Sequence, residues 1–192
     1  MAQNHRVFIA INLPKNIRER ISSYQKGIGH FPIKWVKEDS LHITLIFLGY
    51  LKDEEVARIC EITREFTLRA EPFSIELNKI GYGPAGKMPP RMIWLSGEKS
   101  QELANFRASL ENEIFSAFGK NYSEGGTKQF SPHITLGRIR QWEWRRIDPD
   151  EMPQVEEEVS LDFEARSIEV MESHLKRGGS EYVILESCPL KE

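Results

Sequence analysis

Cysteine is nearly missing from this chain of 192 residues. Cys60 and Cys188 are its only two, they stand far apart, and they form no CxxC spacing. A disulfide scaffold needs more of them and a metal knuckle needs them closer together, so the pair reads as two reduced thiols. Long apolar runs are missing too. Nothing approaches the roughly 18 apolar residues of a membrane span. The opening MAQNHRVFIAINLPK has too short an apolar stretch for a secretory leader and no export-type cleavage region. Nor is there a surplus of charge. With 26 basic and 29 acidic side chains the formal charge is −3, which argues against a general nucleic-acid coat protein, since that class needs a large basic excess. Room is left for a small, locally basic pocket. The composition, 40% hydrophobic and 29% charged, is that of an ordinary globular protein. The expectation is a cytoplasmic monomer with no membrane partner.

The hydrophobic pattern mixes both periods. Val7 to Leu13 reads as a short strand, and Pro14 opens a helix through Ile17, Ile21, Tyr24 and Ile28, with Gly27 and Gly29 where it should stop. Lys34 to Lys37 is a short extended piece, and Ser40 to Leu48 a strand ending at Gly49. A second helix starts near Asp53, with Val56, Ile59, Cys60, Thr63 and Phe66 on one face and acids in its first turn. Phe73, Ile75 and Leu77 alternate as in a strand, Gly81 to Pro90 is a Gly/Pro loop, and Arg91 to Leu95 is another strand. Residues 99 to 118 form a third helix, followed by a Gly125-Gly126 loop and a strand from Phe130 to Arg138. Residues 139 to 160 are charged and aperiodic and read as a long surface loop. Leu161 to Met171 and Tyr182 to Leu185 close the chain as two strands around the Gly178-Gly179 turn. Strands and helices do not alternate strictly, so a doubly wound parallel sheet is excluded. The expected class is α+β: two similar lobes of mainly antiparallel sheet with helices packed outside, in one domain over residues 1–192.

One tetrapeptide is written twice. LHITL at 41–45 returns as PHITL at 132–136. In a strand, His42 and Thr44 point one way while Ile43 and Leu45 point the other, and the same holds for His133 and Thr135 against Ile134 and Leu136. Each copy offers an imidazole and a hydroxyl on one face and anchors itself by aliphatic residues on the other. If the two strands face each other across a cleft, two histidines and two hydroxyls surround a space suited to a tetrahedral phosphate. One imidazole then takes a proton from the attacking group while the other gives one to the leaving oxygen. An ordinary histidine pKa of about 6.5 serves both roles near neutral pH. Threonine hydroxyls donate to the non-bridging oxygens, where charge develops. Zinc is the rival for paired histidines, but it needs three or four ligands, and His5, His30 and His174 form no HxH or HExxH pattern with these two. No metal and no cofactor are expected.

Paired HxTx motifs in this frame resemble the 2H phosphoesterase superfamily and, more narrowly, the RNA 2′,3′-cyclic phosphodiesterases, also called 2′-5′ RNA ligase-like proteins. RVFIAI at 6–11, Trp35, LHITLIFLG at 41–49, RMIW at 91–94, SPHITLGR at 131–138 and the closing Tyr182-Val-Ile-Leu fall in the family's order. The stretch QWEWRRIDPDEMPQVEEE at 141–158 matches no feature of it. The resemblance implies that the two HxTx strands line a central cleft. It also implies metal-free hydrolysis of a 2′,3′-cyclic phosphate at an RNA 3′ end, tRNA-derived ends included, leaving a 2′-phosphomonoester. By position, His42 is then the proton donor to the departing 3′ oxygen, His133 the acceptor that activates water, and Thr44 and Thr135 hold the phosphate. Reversal through the same transition state accounts for 2′-5′ ligation.

Other candidates stand around the motifs. Phe47 and Arg138 each come five residues after a motif histidine. That odd offset puts them on the wrong face of an unbroken strand, so only a bulge or a strand end brings them into the cleft. The resemblance implies that it does, with the terminal base stacked on Phe47 and Arg138 near it. Arg91 reads either as a phosphate or RNA-backbone contact or as a plain surface arginine. Trp94 reads as core. Trp142 and Trp144, among Arg140, Arg145 and Arg146, are either a grip on single-stranded RNA or a loop packing on the body. Two alternative functions remain open: a phosphodiesterase for small cyclic nucleotides or ADP-ribose cyclic phosphate, and a nucleotide- or RNA-binding module without turnover.

Overall fold

The run RVFIAIN alternates so that Val7, Ile9 and Ile11 are fully buried on one side while Phe8 and Ala10 belong to a smaller apolar cluster on the other. It forms β1, Asn4–Asn12, the first of nine strands that the described residues contribute to a single sheet. A computed structural model describes residues 4–27, 31–84, 86–119, 130, 132–152, 154–176 and 179–191. Helix α1 follows at Lys15–Gly27, then β2 at Ile33–Trp35, a short 3-10 turn at Glu38–Ser40, and β3 at His42–Lys52. Helix α2 spans Asp53–Thr67, with three acids in its first turn facing the positive end of the helix dipole. Next come β4 at Phe73–Gly83 and β5 at Met92–Gly97. Helix α3, Gln101–Phe118, is capped by the Ser100 hydroxyl accepting from the Leu103 N–H and is stopped by Gly119 at φ 62°. The chain closes with β6 at His133–Ile139, a one-turn helix α4 at Gln141–Trp144, and a second 3-10 turn at Pro149–Glu151. Strands β7 at Glu157–Ala165, β8 at Ser167–Lys176 and β9 at Gly179–Pro189 follow.

The strand order is β7-β4-β5-β6-β3-β1-β8-β9, with β2 also paired to β6, and every pairing is antiparallel. The two HITL strands, β3 and β6, are the central neighbours. Leaving β2 aside, four strands lie to each side of the line between them, and a strand-helix-strand unit repeats: β1-α1-β3 in one half and β5-α3-β6 in the other. Only Arg166 separates β7, at one end of the sheet, from β8 near the other end. The sheet therefore curls round so that its two halves meet again there. Its core face carries Ile43, Ile93, Ile134 and Leu136, all fully buried.

Several expected boundaries move. Residues 139–160 are not one long loop, because α4 sits inside the stretch and β7 begins at Glu157. Trp144 anchors it, buried to 1% exposure and edge-on to the Tyr82 ring. The acids Glu156 to Glu158 mask the strand period that Val159, Leu161 and Phe163 keep on the buried side. The final segment makes three strands instead of two, since Leu161 to Met171 is broken at Arg166 and Tyr182 to Leu185 is the middle of the longer β9. Strand β3 runs on past Gly49, whose φ of 78° takes up an irregularity against β1. Ile28, Gly29, His30, the Gly125-Gly126 loop and Gly178 lie outside the described residues. Cys60 and Cys188 are buried free thiols, and burial pushes Cys188 up to about 12. Among the described residues no helix is long and apolar enough to cross a membrane.

Candidate active site

Strands β3 and β6 touch at one residue pair, Ile43 opposite Ile134. Antiparallel pairing about that point sets His42 beside Thr135 and Thr44 beside His133, all four on the face away from the two isoleucines. The histidines are then diagonal neighbours, and side chains so placed stand about 7–8 Å apart at their bases. That spacing leaves room between the rings for a phosphorus and its oxygens. The two motifs line the cleft as adjacent strands of one sheet, not as opposed walls.

Each HITL strand carries a bulge at its leucine. Against β1, Ile9 faces Ile46 and Ala10 faces Thr44, so Leu45 is an extra residue in β3. Against β5, Ile93 faces Gly137 and Trp94 faces Thr135, so Leu136 is an extra residue in β6. A bulge leaves backbone groups outside the ladder, and a buried carbonyl must find another donor. The Leu45 carbonyl accepts from Arg107 Nε of α3 at 2.8 Å. The Leu136 carbonyl accepts from Gln25 Nε2 of α1 at 2.9 Å and from the Val36 N–H at 2.9 Å. The extra residue reverses the phase of the residues just after it. Phe47 and Arg138 thereby join His42, Thr44, His133 and Thr135 around one cavity of about 220 Å³.

Two arginines, Arg6 and Arg138, and no carboxylate stand among the described residues lining this cavity. Its electrostatics favour an anion. Arg6 lies 4.7 Å above the Phe47 ring and bonds the Ser173 hydroxyl at 3.3 Å, so one face of Phe47 is already covered. His42 donates its Nδ1–H to the Ser40 carbonyl at 2.8 Å, which fixes the tautomer and leaves Nε2 for a ligand. Phe8 and Tyr182 hold the ring from two sides, at 5.0 and 4.9 Å between centroids. Burial pushes the His42 pKa below its ordinary value; the Ser40 carbonyl works the other way, and neighbouring His133 pushes it down further. His133 stacks on Trp94 at 3.9 Å, the planes inclined by 26°.

Not every candidate is gathered in. Arg91 is exposed and stands outside the described cavity lining, and its carbonyl accepts from the Ile139 N–H. It is one residue out of phase with Trp94, whose ring reaches His133. Trp94 in turn is not plain core: it is half-buried on the cleft face, and its phase with Met92 against buried Ile93 and Leu95 already separated it from the interior. Trp142 is exposed beneath Arg146 at 5.1 Å, whereas Trp144 belongs to the core. His174 is half-buried and lies 3.3 Å from Glu172. Sequence reasoning missed Arg6, Phe8, Ser40 and Tyr182. The alternation of Arg6, Phe8 and Ala10 against Val7, Ile9 and Ile11 held a signal for the first two. Among the described residues no three His, Cys, Asp or Glu side chains are grouped as a metal ion needs them.

A fold with two HxTx strands around one anion-sized cavity defines a 2H phosphoesterase, and comparison with known proteins agrees. The family described as LigT like Phosphoesterase matches residues 11–94. The RNA 2′,3′-cyclic phosphodiesterase of Archaeoglobus fulgidus is 32% identical over 136 residues, 70% of this chain and 73% of that protein. The protein of the same name from Thermotoga maritima is 29% identical over 191 residues, 95% of this chain and 94% of that one. Among solved structures, a Thermus thermophilus protein superposes with a TM-score of 0.83 at 27% identity, covering 97% of this chain and 98% of its own. E. coli LigT complexed with 3′-AMP shares the fold, with a TM-score of 0.76 at 22% identity over 99% of this chain and 100% of that one. The chain belongs to the LigT-like phosphoesterases, within the 2H superfamily.

Proposed function

We propose that this phosphoesterase opens the 2′,3′-cyclic phosphate at an RNA 3′ end and leaves a 2′-phosphomonoester. The reading is supported by the shared name of its relatives and carried by one observation. Both HxTx imidazoles line a single cavity that has arginines and no carboxylate among its described lining residues. In the proposed step, water attacks phosphorus as the bond from phosphorus to the 3′ oxygen breaks. His133 takes the proton from water, and His42, as the imidazolium, gives its Nε2 proton to the departing oxygen. Thr44 and Thr135 donate to the non-bridging oxygens, and Arg138 adds charge where it develops. The exposed face of Phe47 receives the terminal base. The Ser40 carbonyl suits His42 to the donor role, because a fixed acceptor on Nδ1 stabilises the imidazolium. Ligation is secondary: an RNA 5′-hydroxyl in place of water gives a 2′-5′ linkage.

A cyclic-phosphate oligonucleotide incubated with EDTA should release the 2′-phosphate product. His42→Ala and His133→Ala should each lower turnover by about a hundredfold or more, the scale of general acid or base catalysis. The roles separate with a phosphodiester whose leaving group is nitrophenolate, which departs without a proton. Such a substrate should restore most of the rate to His42→Ala and none to His133→Ala. Equal rescue of both, or full activity in both, refutes the assignment.

A further inference from the structure

On β5, Trp94 faces Thr135 of β6, and Ser96, two residues on, faces His133. Trp94 and His133 are therefore diagonal neighbours on one face of the sheet, within reach of an aromatic side chain. The bulge at Leu136 sets this register. Without the extra residue Trp94 would face Leu136, whose side chain belongs to the core. The indole spans the diagonal and stacks on the imidazole at 3.9 Å between centroids, the planes inclined by 26°. Room for it comes from the last residue of β4. A Cβ at Gly83 would stand 2.2 Å from Trp94 Cδ2, 2.5 Å from Cγ and 2.6 Å from Cε2, far inside contact with a rigid ring. Trp94 thus rests on bare backbone at Gly83 and on the ring of His133.

We infer that Trp94 is a positioning residue for His133, with Gly83 the glycine that lets the indole lie against it. This rests on His133 being the proton acceptor proposed above, and it adds a residue outside the described cavity lining. A stacked ring restricts rotation of the imidazole and so fixes the direction of its accepting nitrogen, and orientation of this kind lowers the barrier. The stack also favours charge. His133 begins neutral and becomes an imidazolium as it takes the proton from water, and the negative face of an indole attracts a cation. That stabilisation grows only as the charge forms, so it belongs to the transition state and not to substrate binding. His42 is held differently, by the Ser40 carbonyl on Nδ1, with Phe8 tilted and Tyr182 edge-on to its ring. The donor, which must start charged, has a fixed acceptor; the acceptor, which becomes charged, has a π face.

Steady-state kinetics on a cyclic-phosphate oligonucleotide test this, with folding of each variant checked by its Tm. Trp94→Leu should lower kcat by about tenfold, the scale of a cation–π contact shielded from water, with KM changed by less than about twofold. Trp94→Phe keeps a face for stacking and should restore most of the rate. Gly83→Ala displaces the indole from its stack and should lower kcat as well. Added to Trp94→Leu it should cost nothing more, because the Cβ then meets no indole. In a His133→Ala background Trp94→Leu should lower the residual rate no further, since it acts through that imidazole. Unchanged kcat in Trp94→Leu, a loss confined to KM, or a phenylalanine variant as slow as the leucine variant overturns the inference. So do additive losses at Gly83 and Trp94, or a further loss in the His133→Ala background. Should Trp94→Leu not fold, Gly83→Ala decides, and full kcat there overturns it. Failure of the catalytic reading looks different: His133→Ala then turns over at the wild-type rate, which removes both.

Discussion

His42 donates one ring proton to the Ser40 carbonyl, and its burial holds the pKa of the empty site below the ordinary histidine value of about 6.5. This has a consequence for pH dependence. A proton donor must be charged in the free enzyme, so kcat/KM should fall as pH rises through that lowered pKa. A phosphodiester anion between the rings favours the imidazolium, so the fall in kcat should come at higher pH than the fall in kcat/KM. Coincident alkaline limbs would contradict the donor assignment. At this scale the sequence showed the histidines and threonines, because a repeated His-x-Thr on a strand states its own face. Arg6, Phe8 and Tyr182 were not singled out, since their role depends on which strands become neighbours of β3. The phase of Trp94 with Met92 set it apart from Ile93 and Leu95, but its partner His133 follows only from the pairing of β5 with β6.

Strands and helices were legible where one period persists, as in β1, α2 and α3, and illegible where charge or an irregularity interrupts it. The bulges at Leu45 and Leu136 are the case that matters for function. Alternation alone puts Phe47 and Arg138 on the wrong face, and the correcting residue is an unremarkable leucine. Its carbonyl is held by a helix side chain distant in sequence, Arg107 or Gln25. Replacing Gln25 by Leu removes a buried donor and should cost about 1–3 kcal/mol in denaturant unfolding; no measurable loss would show that the bulge holds itself. A second element-level device joins β1, α2 and β8. His5 Nε2 lies 2.7 Å from Asp53, its Nδ1 lies 2.9 Å from Glu172, and His174 shares Glu172 at 3.3 Å. The bond to Asp53, then that to Glu172, raises the His5 pKa. With the folded value above the unfolded one, this stabilisation is complete below about pH 6.5 and is lost as pH rises through the folded pKa. The Tm of the wild type should therefore decline across that window, and His5→Gln should remove that share of the decline. An identical slope in both proteins would count against the clamp.

Over the whole molecule, the class and the two-lobed plan followed from composition and from the repeated motif, whose mirrored positions correspond to a strand-helix-strand unit used twice. The strand order did not follow, because nothing local in Ala165-Arg166-Ser167 tells a reader that the chain passes there from one end of the sheet towards the other. Each half supplies one imidazole, and the site exists only where the halves join.

The central claim is that both imidazoles act on one phosphorus, and a crystal structure of the protein with adenosine 2′-phosphate tests it most directly. The account predicts the phosphate between the rings, with Nε2 of His42 and a ring nitrogen of His133 each within about 3 Å of a phosphate oxygen, and Thr44 and Thr135 on the remaining oxygens. A phosphate bound away from either histidine, or reached by only one of them, would contradict it.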